Sequence, residues 1–408
     1  MSVSLGQVHV ARQPILDAKQ QVFGYELLYR AGPDDEACTA TANVSARVIR
    51  DAFQSIGFDT LTDGRKAFIN LDAPTLLADG GGLFEPSAVV VELLETIAVT
   101  PEVTGMCQSL RDRGYAIALD DFVPGGPAEA LVPLASFVKL DVRALDERTF
   151  KSAAERLVSA GITIVAEKVE TDDVLTTAKA AGCALFQGYF FCRPVTFSGR
   201  GLPTNHVAQM QLVAALNRPS VSLASIEDLL KRDGALSYRV LRSVNSAAFG
   251  LRREVRSIRE ALLLLGLGQV RKWSSIWVLA GMNRGPAEVV TMTVIRARFC
   301  ELLGRRMGRP DQGAGYFLLG LCSLLDVLLG HPLPEAIKEL PLDTEIRDAL
   351  LGEPNKARMV LDTVVDYQQG YWHRAAQAAM TLGIDAIALP DAYAETLVWA
   401  HAVSRATP

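Results

Sequence analysis

The chain has 408 residues, 49% of them apolar and 21% charged, with 41 Lys and Arg against 46 Asp and Glu and a net charge of −5. That length predicts two or three domains with real cores, and the composition excludes a disordered chain, collagen and a strongly basic nucleic-acid binder. The charge is unevenly split: residues 1–200 carry 18 basic and 26 acidic side chains, whereas residues 201–408 carry 23 and 20.

The opening MSVSLGQVHVARQPI has no apolar stretch of the kind a secretory signal needs, so a cytoplasmic protein is expected. The longest apolar runs, 261–268 and 316–330, are shorter than the ~20 residues that span a bilayer. The second contains Asp326, and both are read as buried core helices. Cys38, Cys107, Cys183, Cys192, Cys300 and Cys322 show no zinc-type spacing and are read as free thiols.

Eight β-rich runs follow one another in the first two hundred residues: 8–15, 21–30, 66–71, 88–93, 116–122, 136–141, 162–170 and 184–190. Helical patterns lie between them, including TANVSARVIRDAFQSIG, PEVTGMCQSLRDRG, ERTFKSAAERLVSAG and TDDVLTTAKAAG. Apolar strand centres suit parallel strands buried on both faces, and the alternation predicts a modified (β/α)8 barrel. The first two runs are too close for a helix between them and are expected to form an antiparallel hairpin.

The strand ends carry the chemistry. In order they present Glu26, Asn70, Glu92, Asp120 with Asp121, Lys139 with Asp141, Glu167 with Glu170, and Gln187. In a barrel these ends open onto one face, and carboxylates gathered there repel unless cations neutralise them. An all-oxygen donor set points to Mg²⁺, Mn²⁺ or Ca²⁺ rather than zinc. Adjacent Asp120 and Asp121 suit two ions at the separation used to cleave phosphodiesters, and Lys139 suits a water or phosphate oxygen. Glu26, Leu28 and Arg30 share one face of an extended strand, so Arg30 can reach a substrate phosphate. Each carboxylate taken singly is more often an exposed loop residue or a helix N-cap; it is their recurrence at successive strand ends that marks a site.

Across residues 7–197 these features resemble the EAL domain of bacterial cyclic-di-GMP phosphodiesterases. RQPI at 12–15, YELLYR at 25–30, FINL at 68–71, VELLE at 91–95, LDDF at 119–122, VKLD at 138–141, VAEKVET at 165–171 and QGYFFCRP at 187–194 stand in family order. The resemblance implies metal ligation by Glu26, Asn70, Glu92 and Asp120, with Asp121 shared by a second metal. It implies that Lys139 positions the attacking water, that Glu167 supports the catalytic loop, and that Gln187 completes the pocket. Gln13 is implied as a guanine contact and Arg30 as a phosphate contact; Asp141 and Glu170 complete the candidate substrate-binding set. The implied reaction is hydrolysis of cyclic-di-GMP to linear pGpG with Mg²⁺ or Mn²⁺, Ca²⁺ being inhibitory. The chain departs from the pattern at Leu27, at Leu94 and in the loop DDFVPGGPAEAL, where Pro124 and Pro127 would stiffen a segment that the resemblance implies couples the metal site to dimerisation.

Residues 198–205 read as a linker, and from 206 to 408 the sequence is helical. KRDGALSYRVLRSVNSAAFG followed by SIREALLLLG resembles the HDOD domain, a relative of HD phosphohydrolases without their catalytic residues. His206, His331, His373 and His401 precede Val, Pro, Arg and Ala, so none begins an HD pair. Arg239, Arg242, Arg252, Arg253, Arg256, Arg259, Arg271 and Lys272 form a basic region, read either as a solvated helical face or as a patch for an acidic protein. The order of the two domains resembles the EAL–HDOD signalling proteins. Two readings follow: a phosphodiesterase with HDOD as a protein-interaction module and a homodimer through the barrel, or an inactive EAL-like receptor or adaptor. Neither involves a membrane or nucleic acid.

Overall fold

The structure is a computed structural model of the chain. It describes residues 9–30, 56–71, 85–192, 204–217, 221–245, 254–283, 285–308, 313–338 and 342–406, with positions 53, 73, 74, 76 and 340. Most of the first helical candidate, linker residues 198–203, Cys38 and the side chain of Arg30 lie outside the described residues. Two compact units form. One comprises Met1–Arg193, Val365–Met380 and Asp385–Ala394; the other comprises Pro194–Val364, Thr381–Ile384 and Glu395–Pro408.

Eight strands close the barrel of the first unit in sequence order: β1 (His9–Asp17), β2 (Val22–Arg30), β3 (Lys66–Leu71), β4 (Val89–Leu93), β5 (Ala116–Leu119), β6 (Phe137–Asp141), β7 (Thr163–Glu167) and β8 (Leu185–Gln187). The expected hairpin is present. β1 is antiparallel to both β2 and β8, and every other neighbouring pair is parallel. Three runs end earlier than the apolar pattern suggests, because Asp121 (φ 39°), Lys168 (φ 55°) and Gly188 (φ 146°) turn the chain just past β5, β7 and β8.

Side chains two residues apart on a strand share a face, which gives the barrel interior its layers. Ile15, Phe68, Val90, Ala118, Phe137, Val165 and Leu185 make one apolar layer. Phe23, skipped where the β1–β2 register shifts, packs against it, 5.9 Å from Phe137 and 6.3 Å from Phe68 between ring centroids. One step further along each parallel strand stand Asn70, Glu92, Asp120, Lys139, Glu167 and Gln187, roughly 6.6 Å higher. Antiparallel β1 and its partner complete that upper layer with Gln13 and Glu26, which face each other in register. The sequence alternation therefore builds an apolar plug with a polar floor above it. The helices between strands are capped by Thr100, Asp146 and Thr171, whose side chains accept from Val103, Thr149 and Val174 amides.

The second unit is helical, as expected, with Leu267–Met282, Ala287–Arg306 and Gly313–Cys322 supplying much of its core. The 316–330 run is largely buried. In the 261–268 run only Ala261 and Leu262 are; Leu263 is 69% and Leu264 51% exposed, so helix Ile258–Leu265 is amphipathic rather than sunk in the core. Of the basic region, Arg242, Arg256 and Arg259 are exposed, while Arg252 and Arg253 lie outside the described residues. Lys272 turns inward to Glu301, at 2.5 Å. Among the described residues no helix is long and apolar enough to cross a membrane.

Candidate active site

The polar layer at the open end of the barrel converges on Lys139. Its side chain is 1% exposed, and its Nζ lies 3.0 Å from Glu26, 2.6 Å from Glu92, 2.8 Å from Asp120 and 2.9 Å from Glu167. β2, β4, β5, β6 and β7 deliver these five groups: Glu26 and Lys139 from the middle of their strands, Glu92 and Glu167 from the last two positions of theirs, and Asp120 from just past β5. Asn70 donates to Glu26 Oε1 at 3.0 Å, and Gln187 Nε2 donates to Glu26 Oε2 at 2.6 Å and to Gln13 Oε1 at 3.0 Å.

Burial and neighbours set the protonation of this cluster. Burial raises the carboxyls of Glu92 and Asp120, and pushes Glu167 up to about 8, with the adjacent negative charges adding to it. Burial would raise Glu26 as well, but Lys139 and the hydrogen bonds from Gln187 and Asn70 outweigh it and the carboxyl is lowered. Burial would lower Lys139, yet its four carboxylates raise it, so the ammonium stays charged.

The other candidates stand apart from this centre. Asp121 follows Asp120 directly and sits at positive φ, its side chain 44% exposed and 3.6 Å from Lys168. Asp141 accepts from the Arg143 and Ala144 amides at 2.7 and 3.3 Å and from Lys168 at 2.5 Å. Glu170 pairs with Arg143 at 2.8 Å on the surface. Lys168, which ties Asp141 to Asp121, escaped the sequence reading although it sits inside the AEKVET motif. Gly188 allows the end of β8 to meet this loop: a Cβ there would lie 2.0 Å from the Val169 carbonyl oxygen, and the Val169 amide donates to the Gln187 carbonyl at 3.0 Å. In the altered loop, Gly125 donates to Glu129, Glu129 pairs with Arg156, and Pro127 opens a 3-10 helix that runs to Leu134.

Among the described residues no three acidic, His or Cys side chains form a ready-made metal cage, because the carboxylates point at the Lys139 ammonium. The donor set nonetheless suits a hard divalent cation. It is all oxygen, it holds four carboxylates against one ammonium, and Asn70 Oδ1, Glu92 Oε2 and Gln187 Oε1 are buried without a hydrogen-bond donor among the described residues. Buried acceptors left in that state are costly, and a cation satisfies them.

Comparison with known proteins places this chain in a family. Residues 75–194 match the EAL domain and residues 202–344 the HDOD domain. The uncharacterized protein YuxH of Bacillus subtilis is 32% identical over 97% of this chain and 98% of its own length. The cyclic di-GMP phosphodiesterase CdgJ of Vibrio cholerae is 32% identical over 97% of this chain and 93% of its own. Among solved structures, the calcium and cyclic-di-GMP complex of Klebsiella pneumoniae BlrP1 is 23% identical, covering 47% of this chain and 57% of that one, with a TM-score of 0.40. With an EAL region followed by an HDOD region and relatives matched almost end to end, the chain belongs to the EAL–HDOD family of two-domain proteins.

Proposed function

We propose that the chain is a signalling phosphodiesterase that hydrolyses cyclic-di-GMP to pGpG with Mg²⁺ or Mn²⁺. The observation that carries this reading is the buried layer of four carboxylates around one lysine, with orphaned oxygens beside them, at the open end of the barrel. The relative CdgJ, named a cyclic di-GMP phosphodiesterase, supports the choice of substrate.

Glu26, Asn70, Glu92 and Asp120 would hold the cation, with Asp121 turning inward to a second. When bound, the metal supplies charge neutralisation and Lewis-acid polarisation of the phosphodiester. The chain supplies the rest. Lys139 keeps its charge and orients the attacking water by donating to it. Glu167, poised near neutrality by burial, is suited to hold a proton close to Lys139. Gln13 and Gln187 present amides to the nucleotide, and Arg30 meets its phosphate. Asp141 and Glu170 act through Lys168 and Arg143, shaping the rim. Attack by water breaks one P–O ester bond, leaving a phosphate monoester on one sugar and a free hydroxyl on the other.

We assign the barrel domain to residues 1–197, a linker to 198–205 and the HDOD domain to 206–408, within which Val365–Met380 and Asp385–Ala394 pack with the barrel unit. The HDOD half is the protein-interaction module, the barrel the homodimer surface, and the cytoplasm the compartment. A second reading, a nucleotide receptor or adaptor without turnover, draws on the outward placement of Asp121. Incubating the purified chain with cyclic-di-GMP and Mg²⁺ or Mn²⁺, beside Glu26→Ala, separates the two. The phosphodiesterase reading expects pGpG from the wild type alone. No product, with saturable nucleotide binding in Ca²⁺ by calorimetry, leaves the receptor reading.

A further inference from the structure

The HDOD match ends at residue 344, yet two later segments, Val365–Met380 and Asp385–Ala394, belong to the barrel unit. The first of them packs on β1 and β2. His9 opens β1 opposite Arg30, the last residue of β2, so it stands at the same end of the barrel as the polar layer. The His9 ring is 2% exposed and lies 5.7 Å from the Tyr367 ring and 6.0 Å from the Trp372 ring. Tyr367 packs in turn on Tyr393 at 5.0 Å. Tyr367, Gln368 and Trp372 are all buried, so the segment is packed in rather than laid on the surface.

Helices Lys356–Gln368 and Trp372–Thr381 meet at a turn. It is held by the Gly370 amide on the Tyr367 carbonyl at 3.1 Å and the Tyr371 amide on the Asp366 carbonyl at 2.8 Å. Gly370 adopts φ 80°, and a Cβ there would lie 3.1 Å from Leu28 Cδ1. Leu28 is two residues from Glu26 and shares its face of β2. The turn therefore lies above the inner face of the hairpin that carries Glu26 and Gln13. Gln187 fixes the Gln13 amide by donating to its Oε1, which aims Gln13 Nε2 at the Gln369 carbonyl, 3.5 Å away.

We propose that residues 366–372 form a wall of the nucleotide pocket and act as positioning residues that orient Gln13 for its ligand. The proposal rests on the reading of the barrel as a cyclic-di-GMP site. Holding a glutamine in place before binding spares the loss of its rotamer freedom on binding, worth on the order of tenfold in affinity.

The test uses the full chain. Gly370→Val sets a β-branched residue at positive φ against Leu28. Calorimetry then compares cyclic-di-GMP binding in Ca²⁺ with binding of Mn²⁺ alone. The expected result is a roughly tenfold loss of nucleotide affinity with Mn²⁺ affinity unchanged. Unchanged or tighter nucleotide binding overturns the proposal, as does an equal loss of both ligands, which marks a purely structural role. If Gly370→Val fails to fold, hydrogen exchange on the wild type decides. Slower exchange at the Gln369, Gly370 and Tyr371 amides when nucleotide binds supports the wall; unchanged or faster exchange overturns it. A wild type that binds no cyclic-di-GMP overturns the functional reading itself, and this inference with it.

Discussion

Each unit buries one charge inside a ring of opposite charges, and the two rings differ in sign and in outlet. In the barrel, Lys139 faces four carboxylates, Glu26, Glu92, Asp120 and Glu167, all of them no more than 14% exposed. In the helical unit, Glu301 faces Lys272, Arg298 and Arg305, but Arg305 is 48% exposed and Arg298 also reaches Glu395. The helical cluster disperses its excess into solvent and a further carboxylate, which is how a structural latch behaves. The barrel cluster has no such outlet among the described residues: without metal its excess is held as protons on the raised carboxyls of Glu92, Asp120 and Glu167, and a further cation can displace them. Both clusters look alike as collections of charged residues; exposure separates a site from a clasp.

The largest expected effect comes from removing the barrel's central charge. Lys139→Met should cost about 5 kcal/mol in metal-chelated buffer, the upper end for breaking a buried ion cluster. Mn²⁺ should recover part of that loss, because a cation can take over from the ammonium; melting with and without metal checks it. Glu301→Gln should cost less, about 3 kcal/mol, since its cations can turn to solvent. Mn²⁺ should leave that loss untouched, and recovery by metal there would erase the contrast.

A pH series sharpens the comparison next. Glu167 is pushed up to about 8 from an ordinary 4.5, and Glu92 and Asp120 are raised too, with burial the largest cause in each. The folded state then holds protons that the unfolded chain has released, so stability falls as pH rises from about 4.5 to about 8. The expected slope is about 1.4 kcal/mol per pH unit for each proton held. Divalent metal should flatten it, because cation binding displaces those protons. Thermal melts of the chelated protein that rise with pH across this window would contradict the assignment. The smallest effect belongs to a pair outside both clusters. Lys151→Ala removes an exposed partner of Glu147, 2.7 Å away, and should leave the melting temperature unchanged with or without metal, because solvent screens such a pair.

Much of the barrel and its polar layer was legible in the sequence, because both follow from spacing. A strand sends alternate residues to one face, so Val90 and Glu92, or Val165 and Glu167, had to stack as core and floor. The same rule shows why Asp120 and Asp121 differ: adjacent residues leave a strand in opposite directions, and the chain turns at Asp121 to carry it toward Lys168. Lys139 as the hub was not legible, since sharing one open face does not tell which carboxylates its ammonium bonds. Lys272 read as part of a basic face because its partner, Glu301, lies one helix further along the chain. The packing of Val365–Met380 on the barrel was equally hidden, its contacts with His9 and Leu28 lying more than three hundred residues away in sequence.

The most direct test of the central claim, that the barrel's surplus carboxylates form a divalent-cation site, is anomalous scattering from a crystal grown with Mn²⁺. The account predicts a peak among oxygens of Glu26, Asn70, Glu92 and Asp120, with the Lys139 ammonium displaced from their midst. Lys139 still bonded to all four carboxylates, with no peak beside them, would contradict it.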